Sequence, residues 1–316
     1  MGKMKLLLGI GAAASAVEYG IARYFFRRTM IRGNAKVELT EKMAGTDWSR
    51  YIPDIKKNHV WMDRQTREEV FITSRDGLKL HGSWYPALDP ESEKAVICFH
   101  GYTSEGSKDF TSLGRFYLKE GYHVLVVDER AHGQSEGTYI GFGCLDRWDA
   151  LEWILYAKKR MAEGCEIILH GISMGGATVL MTSGLKLPDC VKAIISDCAF
   201  TSAWDVFTSV LNTTYHMPAF PIMHIADEMA KRQAGYGLRE CNAAEEVKKT
   251  NIPILFIHGD ADNFVPCRMC HELYQSCASR KDILIVKGAS HAEAYYKEPE
   301  AYRGKILEFL SAGEED

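Results

Sequence analysis

Short apolar runs rich in valine and isoleucine recur from about residue 69, separated by stretches whose apolar positions return every three or four residues. The runs are Ala95–Phe99, His123–Val127, Glu166–Leu169, Val191–Ser196, Ile254–Ile257 and Ile283–Val286. Each is nearly continuous in apolar content, as strands buried on both faces of a parallel sheet must be. Ahead of them, Glu69–Ser74 and Leu78–Tyr85 flank Arg75-Asp76-Gly77, and an Asp-Gly pair between two such runs predicts a hairpin. Helix-compatible stretches are Lys108–Glu120, Asp146–Ala162, Met174–Gly184, Arg268–Ser276 and Ala294–Leu310. In Asp146–Ala162, Trp148, Leu151, Ile154, Leu155, Ala157 and Met161 fall in one arc at about 100° per residue. Asp149, Glu152, Lys159 and Arg160 lie opposite, while Arg147 and Lys158 intrude on the apolar side. Strands alternating with helices predict an α/β fold. Its mostly parallel central sheet is flanked by helices, with the site at the carboxyl ends of the strands.

Two segments stand outside this rhythm. Between about 200 and 248 no strand pattern appears, but Phe200, Trp204, Phe207, Tyr215, Met217, Phe220, Met223, Met229 and Tyr236 do. A structureless loop of that length is improbable in a compact domain, so the segment predicts a small helical lid or a helical insertion packed on the core. The second segment is 6–26, apolar for the most part, preceded by Lys3 and Lys5 and followed by Arg27, Arg28 and Arg32. Its length suits a bilayer. Glu18 inside it costs about 2.5–3.5 kcal/mol at a helix centre, while each large apolar residue returns only about 0.3–0.6 kcal/mol. The expectation is a marginal membrane anchor. A cleaved signal peptide (Ala14-Ser15-Ala16) and an amphipathic or docked surface helix are the alternatives. The chain thus divides into an anchor or signal-like segment at 1–35, a connecting segment at 36–68 and an α/β domain at 69–312.

Composition narrows the class. Of 316 residues, 46% are hydrophobic and 25% charged, which suits a globular domain with a large core. A net charge of −4 with no basic stripe gives no support for a nucleic-acid partner. The nine cysteines are odd in number and sit singly, several inside apolar runs, and so read as reduced thiols. Reduced thiols and the arginines after residue 26 favour a membrane-associated protein whose α/β domain faces the cytoplasm; a secreted or cell-surface location is the alternative. Cys267-Arg268-Met269-Cys270 has CxxC spacing, but no second pair completes a metal site.

The chemistry is concentrated at strand ends. Gly171-Ile172-Ser173-Met174-Gly175 follows the run ending at Leu169 and opens a helix, the context of a nucleophile elbow. Serine needs a base, and the base an orienting acid, supplied in this order along the chain as Ser, Asp, His. Past Ile257 stand His258-Gly259-Asp260-Ala261-Asp262, and past Val286 stand Gly288-Ala289-Ser290-His291. Asp260 and Asp262 compete for the acid; His291 is the base. His100, His132, His170 and His258, beside glycines or strand ends, read as structural. A tetrahedral intermediate also needs backbone donors. The expected ones are the N–H of Met174, at the start of a helix, and that of Tyr102 in the loop His100-Gly101-Tyr102-Thr103.

These pieces, together with Asp128-Glu129-Arg130-Ala131-His132-Gly133-Gln134-Ser135, resemble the α/β-hydrolase superfamily over about residues 65–312. Ala131 stands where that pattern usually has glycine. In hydrolases that look like this, the acid sits three residues before a Val-Pro pair, which favours Asp262 before Val265-Pro266. Within the superfamily the chain resembles a bacterial branch with an N-terminal hydrophobic segment, grouped with serine aminopeptidase-like and monoacylglycerol-lipase-like hydrolases. The resemblance implies a serine hydrolase acting on a small acyl substrate, an ester or thioester, without metal or cofactor. Phe200, Trp204 and Phe207 are its expected substrate-binding residues. A peptidase or amidase, with Glu105 or Glu228 receiving an amino terminus, is the second expectation, and a non-catalytic scaffold the third. Serine at position 173 separates the chain from similar folds with an acid or a cysteine at the elbow.

Overall fold

The computed structural model describes residues 2–33, 42–43 and 46–312. Eight strands form its main sheet: β1 (Glu68–Thr73), β2 (Lys79–Tyr85), β3 (Lys94–Phe99), β4 (His123–Val127), β5 (Glu166–Ile172), β6 (Val191–Asp197), β7 (Ile254–Gly259) and β8 (Lys281–Val286). Their spatial order is β8-β7-β6-β5-β3-β4-β2-β1. Strands β3 to β8 run parallel, and β2 pairs antiparallel with both of its neighbours, β4 and the edge strand β1. The β1–β2 turn is closed by the Ser74 N–H donating to the Leu78 carbonyl at 2.8 Å, with Gly77 at φ 88°. Alternate residues explain the continuous apolar runs. Ala95, Ile97 and Phe99 enter the core on one face of the sheet, Val96 and Cys98 the core on the other. After β4 the chain crosses back to the far side of β3, so the ends of β3 and β5 diverge and leave a crevice there.

Twelve helices lie among the described residues: α1 (Gly2–Met30), α2 (Ile52–Met62), α3 (Gly106–Asp109), α4 (Thr111–Lys119), α5 (Asp146–Arg160), α6 (Met174–Ser183), α7 (Ala203–Thr213), α8 (Ile222–Gln233), α9 (Ala243–Glu246), α10 (Cys267–Ser276), α11 (Ala294–Lys297) and α12 (Pro299–Ser311). Three departures from the sequence pattern have clear causes. The stretch Lys108–Glu120 breaks at Phe110, whose φ and ψ of −99° and 16° leave the helical region. The stretch Ala294–Leu310 breaks at Glu298, because Pro299 disfavours helical backbone in the residue before it. In α5 the buried face is rotated: Asp149 is buried, its carboxylate accepting both Nε and Nη2 of Arg130 at 2.6 and 2.7 Å, while Leu155 is exposed. An ion pair, which a hydrophobic pattern does not register, turned the helix.

The segment between β6 and β7 holds α7, α8 and α9, helical where a lid was expected. The N-terminal segment, expected as a marginal membrane anchor with a docked helix among the alternatives, forms α1. Among the described residues no helix is long and apolar enough to cross a membrane. Glu18 and Arg23 interrupt α1, and Ala22, Phe26 and Met30, one turn apart, are buried in the same core as the lid. Its last turns pack on α8, and Ile31 then bridges to Tyr139. In the connecting segment, 34–41 and 44–45 lie outside the described residues. Beyond them α2 docks on α4, where Asn58 donates to Ser112 and accepts from Arg115, each at 2.9 Å.

Candidate active site

Strand β5 ends at Ile172 and α6 begins at Met174, leaving Ser173 alone in the turn with φ 55° and ψ −109°. That backbone region is strained for a residue with a side chain. Two glycines make it possible. A Cβ on Gly171 would stand 2.1 Å from the carbonyl of Gly175, and one on Gly175 2.0 Å from that of Phe99. The turn is pinned at both ends, by the Ser173 N–H donating to Asp197 O at 2.8 Å and the Gly175 N–H to His100 O at 3.0 Å.

His291 and Asp262 arrive on the loops after β8 and β7. The Ser173 hydroxyl lies 2.8 Å from His291 Nε2, and His291 Nδ1 lies 2.7 Å from Asp262 Oδ2. Asp262 is oriented by its own loop: Oδ1 accepts the N–H groups of Phe264 and Val265 at 2.9 and 2.8 Å. Oδ2 also lies 3.2 Å from His258 Nε2, which is itself 2.8 Å from the Val265 carbonyl. Burial works against a charged Asp262, but the charge of His291 and hydrogen bonds from His258 and His291 hold it far below the usual carboxylate range. Burial likewise opposes charge on His291, and the Asp262 carboxylate outweighs it, so the imidazole titrates above its usual value. With Nδ1–H donated to Asp262, a neutral ring presents Nε2 as an acceptor to the serine hydroxyl. Asp260 points elsewhere, accepting the Gly288 N–H at 2.5 Å on the surface.

The loop after β3 closes the other side. A Cβ on Gly101 would lie 3.6 Å from the Cβ of Ser173. The Gly101 N–H donates to Asp109 Oδ2 at 2.7 Å and the Thr103 N–H to His132 Nε2 at 3.2 Å. His100 Nε2 accepts the Glu129 N–H at 3.0 Å, tying the loop to the one after β4. Between these anchored groups the N–H of Tyr102 donates to no group among the described residues, nor does that of Met174. The Tyr102 ring packs on Phe142 with centroids 5.3 Å apart, and Phe142 meets Phe207 edge-on at 4.7 Å. Phe264 packs on the His291 ring at 5.0 Å.

Of the expected substrate-binding residues, then, Phe207 joins the aromatic row that starts at Tyr102. Phe200 is buried in the core. Trp204 is taken up by Arg239, whose guanidinium lies 3.3 Å from its ring centroid, and by His224. Glu105 pairs with Lys108 and Glu228 with Arg232, both on the surface. Sequence reasoning missed Asp109, Phe142 and the bracing of Asp262 by His258. It also missed Asp197, which burial pushes up to about 6 and whose Oδ2 accepts the Tyr302 hydroxyl at 3.0 Å. Phe264, two residues past Asp262, could have been suspected from its position.

Comparison with known proteins fits this geometry. Residues 90–228 match the model of the serine aminopeptidase family, S33. The chain is similar to the uncharacterized protein YqkD of Bacillus subtilis, with 29% identity over 78% of this chain and 80% of that one. Among solved structures it resembles the Pyrococcus furiosus esterase Pf2001, with a TM-score of 0.64 and 24% identity, covering 82% of this chain and 93% of that one. It also resembles Est1E of Butyrivibrio proteoclasticus, a structure with ferulic acid bound, with a TM-score of 0.59 and 20% identity over 77% and 99% of the two chains. These likenesses show that the chain has the α/β-hydrolase fold.

Proposed function

We propose that the chain is a serine esterase that cleaves carboxylic esters or thioesters through an acyl-enzyme. The observation that carries this reading is the unbroken hydrogen-bond relay from Ser173 through His291 to Asp262, beside two unengaged backbone donors. The Ser173 hydroxyl attacks the acyl carbon while His291 Nε2 takes its proton, and the Asp262 carboxylate stabilises the resulting imidazolium. The oxyanion receives hydrogen bonds from the N–H groups of Met174 and Tyr102. His291 then gives the proton to the departing alcohol or thiol. Water, deprotonated by the same imidazole, releases the acid and restores the hydroxyl. Ester chemistry is favoured over aminopeptidase chemistry because Glu105 and Glu228 are surface residues held in ion pairs, and the row Tyr102, Phe142, Phe207 is aromatic. Fluorophosphonate labelling and nitrophenyl-ester turnover test the reading. Both are expected for the wild-type chain, and Ser173→Ala should lose labelling and at least about a thousandfold in kcat. Aminoacyl-nitroanilide cleavage faster than ester cleavage would overturn it in favour of a peptidase.

A further inference from the structure

The hydroxyl of Tyr102 donates to the carbonyl of Thr29, 3.0 Å away, in the last turn of α1. Helix-end carbonyls lack a partner inside their own helix, so the phenol caps a group that would otherwise stay unpaired. The contact joins the residue after Gly101, which itself stands against Ser173, to a helix far off in sequence. We propose that the C-terminal turns of α1 are a positioning element of the active site: they hold the Tyr102 side chain, and through it aim the Tyr102 N–H at the oxyanion. This rests on the esterase reading above.

Three features support it. First, α1 is a firm abutment at this end. Phe26 and Met30 are almost wholly buried. The Ile140 N–H donates to Met30 O and the Arg32 N–H to Thr138 O, both at 2.9 Å, and the Arg32 guanidinium binds the carbonyls of Gly133 and Ser135. Second, the segment that α1 grips, 133–142, is the one that carries Phe142, the ring on which Tyr102 packs. Tyr102 is thus held between two surfaces that α1 fixes together. Third, the loop's backbone is anchored at Gly101 and Thr103 but not at Tyr102, and Thr103 has the strained φ of 59°. The side chain is what remains to set the direction of the Tyr102 N–H. Burial keeps the phenol protonated, so it stays a donor throughout the working pH range. Small errors in aiming an oxyanion donor are costly to rate, because the donor acts on charge present only in the transition state.

The test compares the full-length wild type with Tyr102→Phe, which keeps the ring and the backbone N–H and removes only the hydroxyl. A soluble nitrophenyl ester gives kcat and KM, and a trifluoromethyl ketone, which forms a tetrahedral adduct with an active serine, reports oxyanion binding. For Tyr102→Phe, kcat should fall about three- to tenfold at unchanged KM, with ketone affinity falling by the same factor. Phe26→Ala, which loosens α1, should lower both at least as far. If Tyr102→Phe keeps wild-type kcat and ketone affinity, or loses only in KM, the positioning role is wrong. A merely structural contact would lower the thermal midpoint without the matched loss of kcat and ketone affinity, and that result would also overturn it. A wild-type chain that turns over no ester and takes no fluorophosphonate fails the esterase reading itself, a separate outcome visible before any variant is compared.

Discussion

Asp262 Oδ2 stands between two imidazoles, and the balance between them sets how the site should answer to pH. In the proposed reaction His291 can serve as the base only when neutral. Its pKa is raised above the usual 6.5, so kcat/KM should fall as pH drops, along an acid limb whose midpoint lies above 6.5. The stability sign follows from the same shift. The folded chain holds that proton more tightly than the unfolded one, so the contribution is complete below about 6.5 and lost as pH rises through the folded value. In Asp262→Asn the carboxylate that raises the pKa is gone and burial remains. The limb should move below 6.5, and kcat should drop by about 10⁴. A pH profile of nitrophenyl-ester hydrolysis for both chains checks this, and a wild-type limb at or below 6.5 would contradict it. At this scale the sequence was readable where a residue's role follows from its neighbours in the chain, as for Ser173 within its glycines. It was unreadable where partners come from afar. Asp109, which fixes the Gly101 N–H, carries no mark in the sequence, and His258 looked like one more histidine beside a glycine.

Among the elements, the elbow depends on contacts between backbones rather than on side chains. A methyl group on Gly175 would overlap the Phe99 carbonyl, and neither partner can yield without separating α6 from β3. Gly175→Ala should therefore be recovered unfolded, or with a thermal midpoint at least about 10 °C lower, since a loss of several kcal/mol shifts a domain of this size that far. Gly304 is the control. It lies exposed inside α12, with open space where a Cβ would be, and Gly304→Ala should gain about 0.5–1 kcal/mol through reduced backbone freedom of the unfolded chain. Thermal melts of the two variants side by side decide the matter; a Gly175→Ala melt like the wild type's would show that the close approach does not constrain the fold. Period and turn chemistry located the strands well because burial on both sheet faces writes a continuous apolar run. Helices were read less accurately. Their ends depend on single residues such as Phe110 and Glu298, and the facing of α5 was set by the buried Arg130–Asp149 pair.

Over the whole molecule, the sheet's two faces are covered by cores of different origin, and α1 belongs to the one that also holds the lid. The sequence left that assignment open between an anchor, a signal peptide and a docked helix, because an apolar helix with basic flanks reads alike whether its partner is lipid or protein. The cysteines were easier to read, since thiols scattered singly through apolar runs pack as small hydrophobes. All nine are free, and only Cys190 and Cys267 are even partly exposed. Burial raises the pKa of both, which lowers the thiolate fraction on which reactivity depends. Ellman's reagent should accordingly titrate no more than two thiols in the folded chain, and those slowly, against nine after denaturation. The thermal midpoint should be the same with and without dithiothreitol, since no cross-link exists to be reduced. A third thiol reacting at the rate of those two would mean that a core element opens without global unfolding. The thiol to identify first would then be Cys144 or Cys241, which lie buried in one core, the second within the lid segment itself, and within reach of each other.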